Sequence, residues 1–159
     1  EEDDFLLSIF IESFEGDFDR VGMKAGLMIR ETLETGSRQA FLFVGGSGQI
    51  GLLMRDSTGQ LANEHQQDNI FERGVVSLYP KEFQRGELRL KKIGSTVIGY
   101  VKDATQNEWT SISSVQVGFE SFYVGVALST QSNVGDLGRL EFSNLNALTW
   151  FKNPSNNIR

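Results

Sequence analysis

The sequence predicts an all-β protein, an antiparallel two-sheet β-sandwich with little or no helix. Short runs of alternating apolar and polar residues recur along the chain, separated by turn residues about every 8–12 positions. Gly occurs 17 times and Pro only 2 times, which suits a chain with many turns. No segment of helical length carries an apolar stripe at helical spacing.

We predict about ten strands by this pattern. The first is rich in Phe and Ile and stops at Gly16, and the second and third are joined by a polar turn that contains Gly36. Pro80 ends the fifth strand because it lacks a backbone donor. The ten predicted strands are residues 5–14, 24–33, 40–44, 49–55, 70–79, 87–92, 96–102, 108–117, 121–130 and 139–148.

Length and composition indicate one domain and exclude several functions. We expect a single domain over residues 1–159, with residues 149–159 as its tail, within a longer protein. The formal net charge of −6 argues against nucleic acid as a partner. No apolar run approaches the roughly 20 residues of a membrane-spanning helix, so we expect no membrane insertion. The chain has no cysteine, which excludes disulfides and thiol catalysis.

Five motifs occur in the order found in one known family. Together they cover roughly residues 5–148 and resemble the "regulation of enolase" family of the concanavalin A-like lectin/glucanase superfamily. The segments that carry the resemblance are KAGLMIRE followed by GSR (residues 24–31 and 36–38), LRL followed by GST (88–90 and 94–96), WT (109–110), FYVGVALS (122–129) and FSNL (142–145).

The resemblance implies a concanavalin A-like jelly roll. It also implies a secreted or cell-surface module of the kind attached to carbohydrate-active or adhesive proteins. The chain departs from the family at two places: it has no strand before residue 5, and residues 60–80 are longer and less patterned. The first departure implies a partner strand that completes the sheet, or a different sheet edge.

The same departure leads to a prediction about strand pairing. A first strand as apolar as residues 5–14 would expose a row of backbone donors and acceptors if it lay unpaired at an edge. We predict that the closing strand, residues 139–148, returns antiparallel beside it. Burial of the aromatic side chains of Trp150 and Phe151 would favour packing of the tail there.

Catalysis has little support in the sequence. Glycosidases of this superfamily carry acids at alternate positions of one strand, as in E-x-D-x-E, so that both face one glycosidic bond. No such triplet is present, and the single histidine, His65, lies in a polar segment without a G-x-S-x-G around any serine. A glycoside hydrolase or polysaccharide lyase with unrecognised acids stays open as the third interpretation.

A ligand-binding face has more support. In a jelly roll, the outward face of one sheet can take an extended ligand, and Tyr and Arg supply a ring for stacking and fixed donors. Gly26, Gly51 and Gly125 would leave room for the ligand. The alternative is that Arg30 and Arg55 pair with surface carboxylates, which is usual on half-exposed sheets. The candidate ligand-binding residues are Arg30, Gln49, Arg55, Tyr100, Tyr123 and Ser129.

The sequence leaves room for one structural calcium ion, and we expect no other cofactor. Asp17, Asp19 and Asp136 lie in segments rich in oxygen ligands. The chain has no D-x-D-x-D-G loop, which favours the alternative that these acids are simply solvated.

Trp109 follows a polar turn, where a structural aromatic is favoured over a sugar platform.

The sequence therefore favours a non-catalytic extracellular module that binds a glycan or a neighbouring protein through an outward sheet face. The second interpretation is a structural or protein-interaction subunit of a larger assembly.

Overall fold

A computed structural model describes residues 4–16, 23–45, 48–59, 79, 82–129 and 138–150. None of the described residues is helical, so they include no helix that is long and apolar enough to cross a membrane. The predicted strand at residues 70–79 lies outside this part of the chain except for Tyr79. The described strands are β1 (Asp4–Gly16), β2 (Lys24–Arg30), β3 (Gln39–Gly45), β4 (Ile50–Arg55), β5 (Gly86–Ile93), β6 (Thr96–Asp103), β7 (Thr110–Gln116), β8 (Tyr123–Ser129) and β9 (Gly138–Trp150).

The strands form two antiparallel sheets packed face to face. The five-stranded sheet has the order β7-β6-β5-β1-β9, and the four-stranded sheet has the order β4-β3-β2-β8. Strands β4 and β7 contact each other across the core, as do β2 and β5. The all-β class and the two-sheet sandwich predicted from the alternating pattern are therefore confirmed.

The closing strand pairs with the first strand, as predicted. Strand β9 runs antiparallel to β1, from Gly138 opposite Gly16 to Trp150 opposite Asp4. It therefore begins one residue before the predicted range and continues two residues beyond it. The register shifts between Ser8 and Phe10, and Asn144 takes a φ of 53° at this irregularity. Asn is one of the few residues besides Gly that tolerates this region, so it suits a β-bulge.

The core lies between the sheets and is built from alternate residues of each strand. Leu27 and Ile29 of β2 face inward with Leu42 of β3, and all three are fully buried. From the other sheet come Phe5, Leu7, Ile9 and Ile11 of β1. The Phe5 ring lies 5.1 Å from the ring of Phe122, which joins the two sheets near the start of β8.

The second strand is shorter than predicted because a hydrogen-bonded loop replaces its last three residues. Strand β2 ends at Arg30, and the Glu31 amide donates to the Arg38 carbonyl at 3.0 Å. Inside the loop, the Thr32 amide donates to the Ser37 hydroxyl at 2.8 Å. Glu31 and Arg38 also form an ion pair. We call residues 31–38 the β2–β3 loop.

Candidate functional site

The outward face of the four-stranded sheet holds four of the six predicted ligand-binding residues. Arg30 of β2 lies opposite Tyr123 of β8 on one side and opposite Gln39 of β3 on the other. Gln39 in turn lies opposite Arg55 of β4, so the four side chains form one row across the sheet. We call Tyr123, Arg30, Gln39 and Arg55 the arginine row. The next outward side chains on the inner strands are Met28 and Phe41. Ser129 lies on the same face of β8, opposite Lys24.

The two arginines of the row hold the β2–β3 loop by its backbone. Arg55 is only 9% exposed, and its Nη1 donates to the carbonyl of Thr35 at 3.0 Å and to that of Ser37 at 3.1 Å. Arg30 donates from Nη2 to the carbonyl of Glu34. The alternative of pairing with surface carboxylates is wrong for the described residues, since both side chains bond neutral carbonyls. This arrangement fixes both guanidinium groups in place.

The row carries two positive charges close together. Burial lowers the pKa of Arg55 from its usual value, and the charge of Arg30 lowers it further. The Nε atoms of both side chains are buried and have no hydrogen-bond partner among the described residues. An incomplete set of hydrogen bonds on two adjacent cations is costly in a protein interior. The positive potential of the row is therefore only partly compensated by the loop carbonyls.

No described residue covers the half of this face nearest β8. Tyr123 is 54% exposed, and a Cβ built on Gly125 would meet no described atom within 4 Å. Gly26 does not leave room as predicted, because a Cβ there would lie 2.1 Å from the carbonyl oxygen of Leu42. Gly51 is buried opposite Phe43. Of the three glycines expected to make space, only Gly125 borders an open region.

Besides Ser129, two predicted residues lie apart from the arginine row. Gln49 precedes β4 in an exposed position, and its carbonyl accepts a 2.7 Å hydrogen bond from the Gly45 amide at the hairpin end. Tyr100 is on β6 of the five-stranded sheet, opposite Arg89, so its placement on the same face as the others is wrong. Alternation assigns a residue to one side of its strand but does not say which sheet the strand joins.

Sequence reasoning missed a cation–aromatic cluster on the five-stranded sheet. The guanidinium of Arg89 lies 3.8 Å from the centroid of the Trp109 ring, and the Lys102 ammonium lies 5.1 Å from it. The signal was present as Arg89 and Lys91 at alternate positions of β5 and Lys102 on β6, but the position of Trp109 beside them depends on strand pairing. Two cations stack on the half-buried ring, and the structural role of Trp109 stays a prediction from sequence.

The carboxylate of Glu12, on β1, bears on whether a described acid could transfer a proton. Arg85 and Ser143 both donate hydrogen bonds to the carboxylate of Glu12. The bond from Arg85 is the main cause that lowers the pKa of Glu12, and the bond from Ser143 lowers it further. A general acid needs the opposite shift, towards neutral pH. This carboxylate is therefore suited to an ion pair and not to proton transfer.

The predicted calcium ligands Asp17, Asp19 and Asp136 fall outside the described residues, and so does His65. Within the described part of the chain, no three His, Cys, Asp or Glu side chains come together as metal ligands would.

Comparison with known proteins places the fold only. No protein-family model matches the chain, and no curated protein matches it. A solved structure of a functionally unknown protein from Saccharomyces cerevisiae is similar, with a TM-score of 0.62 and 13% sequence identity. The match covers 96% of this chain and 72% of that chain. Such a likeness shows that the two chains share a fold and carries no function.

Proposed function

We propose that this chain is a non-catalytic carbohydrate-binding module whose ligand lies on the outward face of the four-stranded sheet, beside Tyr123. The observation that carries the proposal is the exposed Tyr123 ring next to the open region above Gly125, with the fixed guanidinium of Arg30 on the neighbouring strand. In keeping with the family that the sequence resembles, we place the module outside the cell, as a lectin-like or adhesive unit.

The chemistry of the face suits a sugar ring. A pyranose has apolar C–H faces and equatorial hydroxyls, so it needs an aromatic ring to stack on and planar donors at the side. Directly opposite residues in a sheet are about 4.5–5.5 Å apart, which is close to the width of one sugar ring. A ring stacked on Tyr123 therefore brings its substituents within reach of Arg30, which the backbone bond to Glu34 holds in place.

Replacing Tyr123 with alanine is expected to weaken glycan binding about tenfold, since loss of one stacking contact is worth roughly 1.4 kcal/mol. The binding constant would be measured by calorimetry with the best glycan from an array. Because Tyr123 is exposed, the variant should retain the thermal stability of the parent chain.

The matched control is Tyr100→Ala, which removes the same ring from the other sheet. It should leave the affinity unchanged. Equal loss of binding in both variants would contradict a site beside Tyr123, and release of new reducing ends from any polysaccharide would contradict a non-catalytic role.

A second candidate function is a subunit of an assembly in which β9 pairs with β9 of a second copy. Among the described strands, β9 pairs along one side only. After Glu141, its residues carry no charge, and Phe142, Leu145 and Leu148 are exposed. Long uncharged edge strands are usually blunted in monomeric proteins. Antiparallel pairing of two such strands would place no like charges opposite each other and would close as a twofold dimer.

Light scattering over a concentration series tests this second function. A dimer is expected for the parent chain, and Leu145→Lys should shift it to monomer by placing charge on the edge. The control is Leu33→Lys, another exposed leucine, which lies in the β2–β3 loop away from β9. A parent chain that stays monomeric at the highest concentration would rule out this dimer.

A further inference from the structure

We propose that the arginine row recognises the acidic group of an acidic saccharide, a carboxylate or a sulfate, with Arg30 as the contacting residue. The inference rests on the proposed function, because it names the chemical class of glycan that the same site takes. It depends on three observations: neither arginine of the row forms an ion pair with a described residue, the guanidinium groups have a fixed geometry, and an exposed ring lies beside them.

The first observation is an imbalance of charge. The chain has a formal net charge of −6, so carboxylates are in excess. Within the described residues, neither Arg30 nor Arg55 forms an ion pair with any of them, whereas several other cations do. The ion pairs are Arg38 with Glu31, Arg85 with Glu12, Lys102 with Glu87, and Arg139 with Glu141. Two arginines in one row, neither paired with a described carboxylate, leave a local positive potential that an anion would neutralise.

The second observation is preorganisation. Arg55 is held by two loop carbonyls and is nine-tenths buried, and it lies on the same face two strands from Arg30. Arg30 is half-buried and bonds Glu34 through Nη2, which leaves Nη1 for an acidic group. A guanidinium whose orientation is already fixed loses little conformational entropy when it binds a planar or tetrahedral anion. The positive charge of Arg55 then strengthens the attraction at Arg30.

The third observation favours a saccharide over an acidic peptide. Tyr123 lies directly opposite Arg30, and the open region above Gly125 continues along β8 from the tyrosine. One sugar residue can therefore stack on the ring while its acidic substituent reaches the guanidinium. An extended acidic peptide would instead be expected to pair its backbone with a strand edge, and the row lies on a sheet face.

The experiment measures the affinity of the full chain for four probes by calorimetry. They are trigalacturonic acid, its neutral methyl ester, a sulfated galactose disaccharide and a triglutamate peptide. The acid or the sulfated sugar should bind at least about tenfold more tightly than the methyl ester, and this preference should fall as salt is raised. Which of the two binds more tightly identifies carboxylate or sulfate as the acidic group.

Variants locate the effect at the row. Arg30→Gln should abolish the preference for acid over ester, and Arg30→Lys should keep part of it because charge remains without the planar donors. Arg139→Gln removes an exposed arginine from β9 and should change nothing. The acid–ester comparison and its salt dependence use the parent chain, so they test the proposal even where a variant does not fold.

Contrary results separate this inference from the proposed function. Equal binding of acid and ester, with both lost in Tyr123→Ala, would overturn the acidic specificity and leave the glycan site standing. Tightest binding by triglutamate would overturn the assignment to a saccharide. If no probe binds and a neutral glycan array is also blank, both the inference and the proposed function are wrong.

Discussion

Replacing Gly26 with alanine is expected to lower the free energy of unfolding by about 3 kcal/mol, the upper part of the usual range for overpacking. A Cβ at this position would lie 2.1 Å from the carbonyl oxygen of Leu42 and 3.1 Å from its carbonyl carbon. These are backbone atoms of the neighbouring central strand, so they cannot move aside as a flexible side chain would. Strands β2 and β3 would have to separate locally, which would weaken their hydrogen bonds.

Gly125→Ala is the matched control for this prediction. Gly125 lies on β8, next to β2 in the same sheet, and a Cβ there meets nothing within 4 Å. Its stability should stay within about 0.5 kcal/mol of the parent chain, as for most substitutions without a packing consequence. Urea unfolding of both variants would measure the difference. A Gly26→Ala variant as stable as the Gly125→Ala variant would mean that the close approach of β2 to Leu42 is not tight.

Local periodicity explains why so much of the fold could be predicted. In a strand the side chains alternate between faces, so the positions of Leu27 and Ile29 determine which face is apolar. The same rule assigns Met28 and Arg30 to the opposite face, and the structure places them there. The β1–β9 pairing could be predicted because an apolar strand such as residues 5–14 needs a partner on each side.

The candidate site could be predicted only in part because its contacts come from distant segments. The alternating pattern placed Arg30, Arg55 and Tyr123 on outward positions, and register brings them into one row. It does not show that Arg55 bonds carbonyls of a loop about twenty residues earlier in the chain. That bond depends on the path of residues 31–38, which side-chain periodicity does not encode.

The sequence pattern also does not show to which of the two sheets a strand belongs. Tyr100 has the same outward alternation as Tyr123, yet β6 belongs to the five-stranded sheet. Assignment of a strand to a sheet depends on long-range pairing between segments far apart in sequence, and alternation is identical in both sheets. Gly26 illustrates a related limit: the pattern predicts space for a ligand there, but the backbone of β3 fills that space.

A double-mutant cycle between Leu42 and Gly99 is expected to show that the two sheets interlock at this point. Leu42 of β3 is fully buried, and truncation to alanine should cost about 3–4 kcal/mol through lost burial and the cavity left behind. Gly99 of β6 faces it, since a Cβ there would lie 2.8 Å from Leu42 Cδ1. Gly99→Ala should therefore cost about 1–3 kcal/mol in the parent chain.

The two substitutions should offset each other when combined. With alanine at position 42, the added methyl group at position 99 enters the vacated space, so the double variant should be more stable than the sum of the two losses predicts, by about 1–2 kcal/mol. Leu42→Ala combined with Gly125→Ala is the control, and its losses should add, because Gly125 lies on a different strand with its Cβ position open. Urea unfolding of the parent chain, the three single variants and the two double variants measures every free energy of unfolding that the comparison needs. Additive losses for the pair at positions 42 and 99 would contradict direct packing between the sheets there, whereas the expected offset would establish that the side chain of Leu42 sets the distance between β3 and β6.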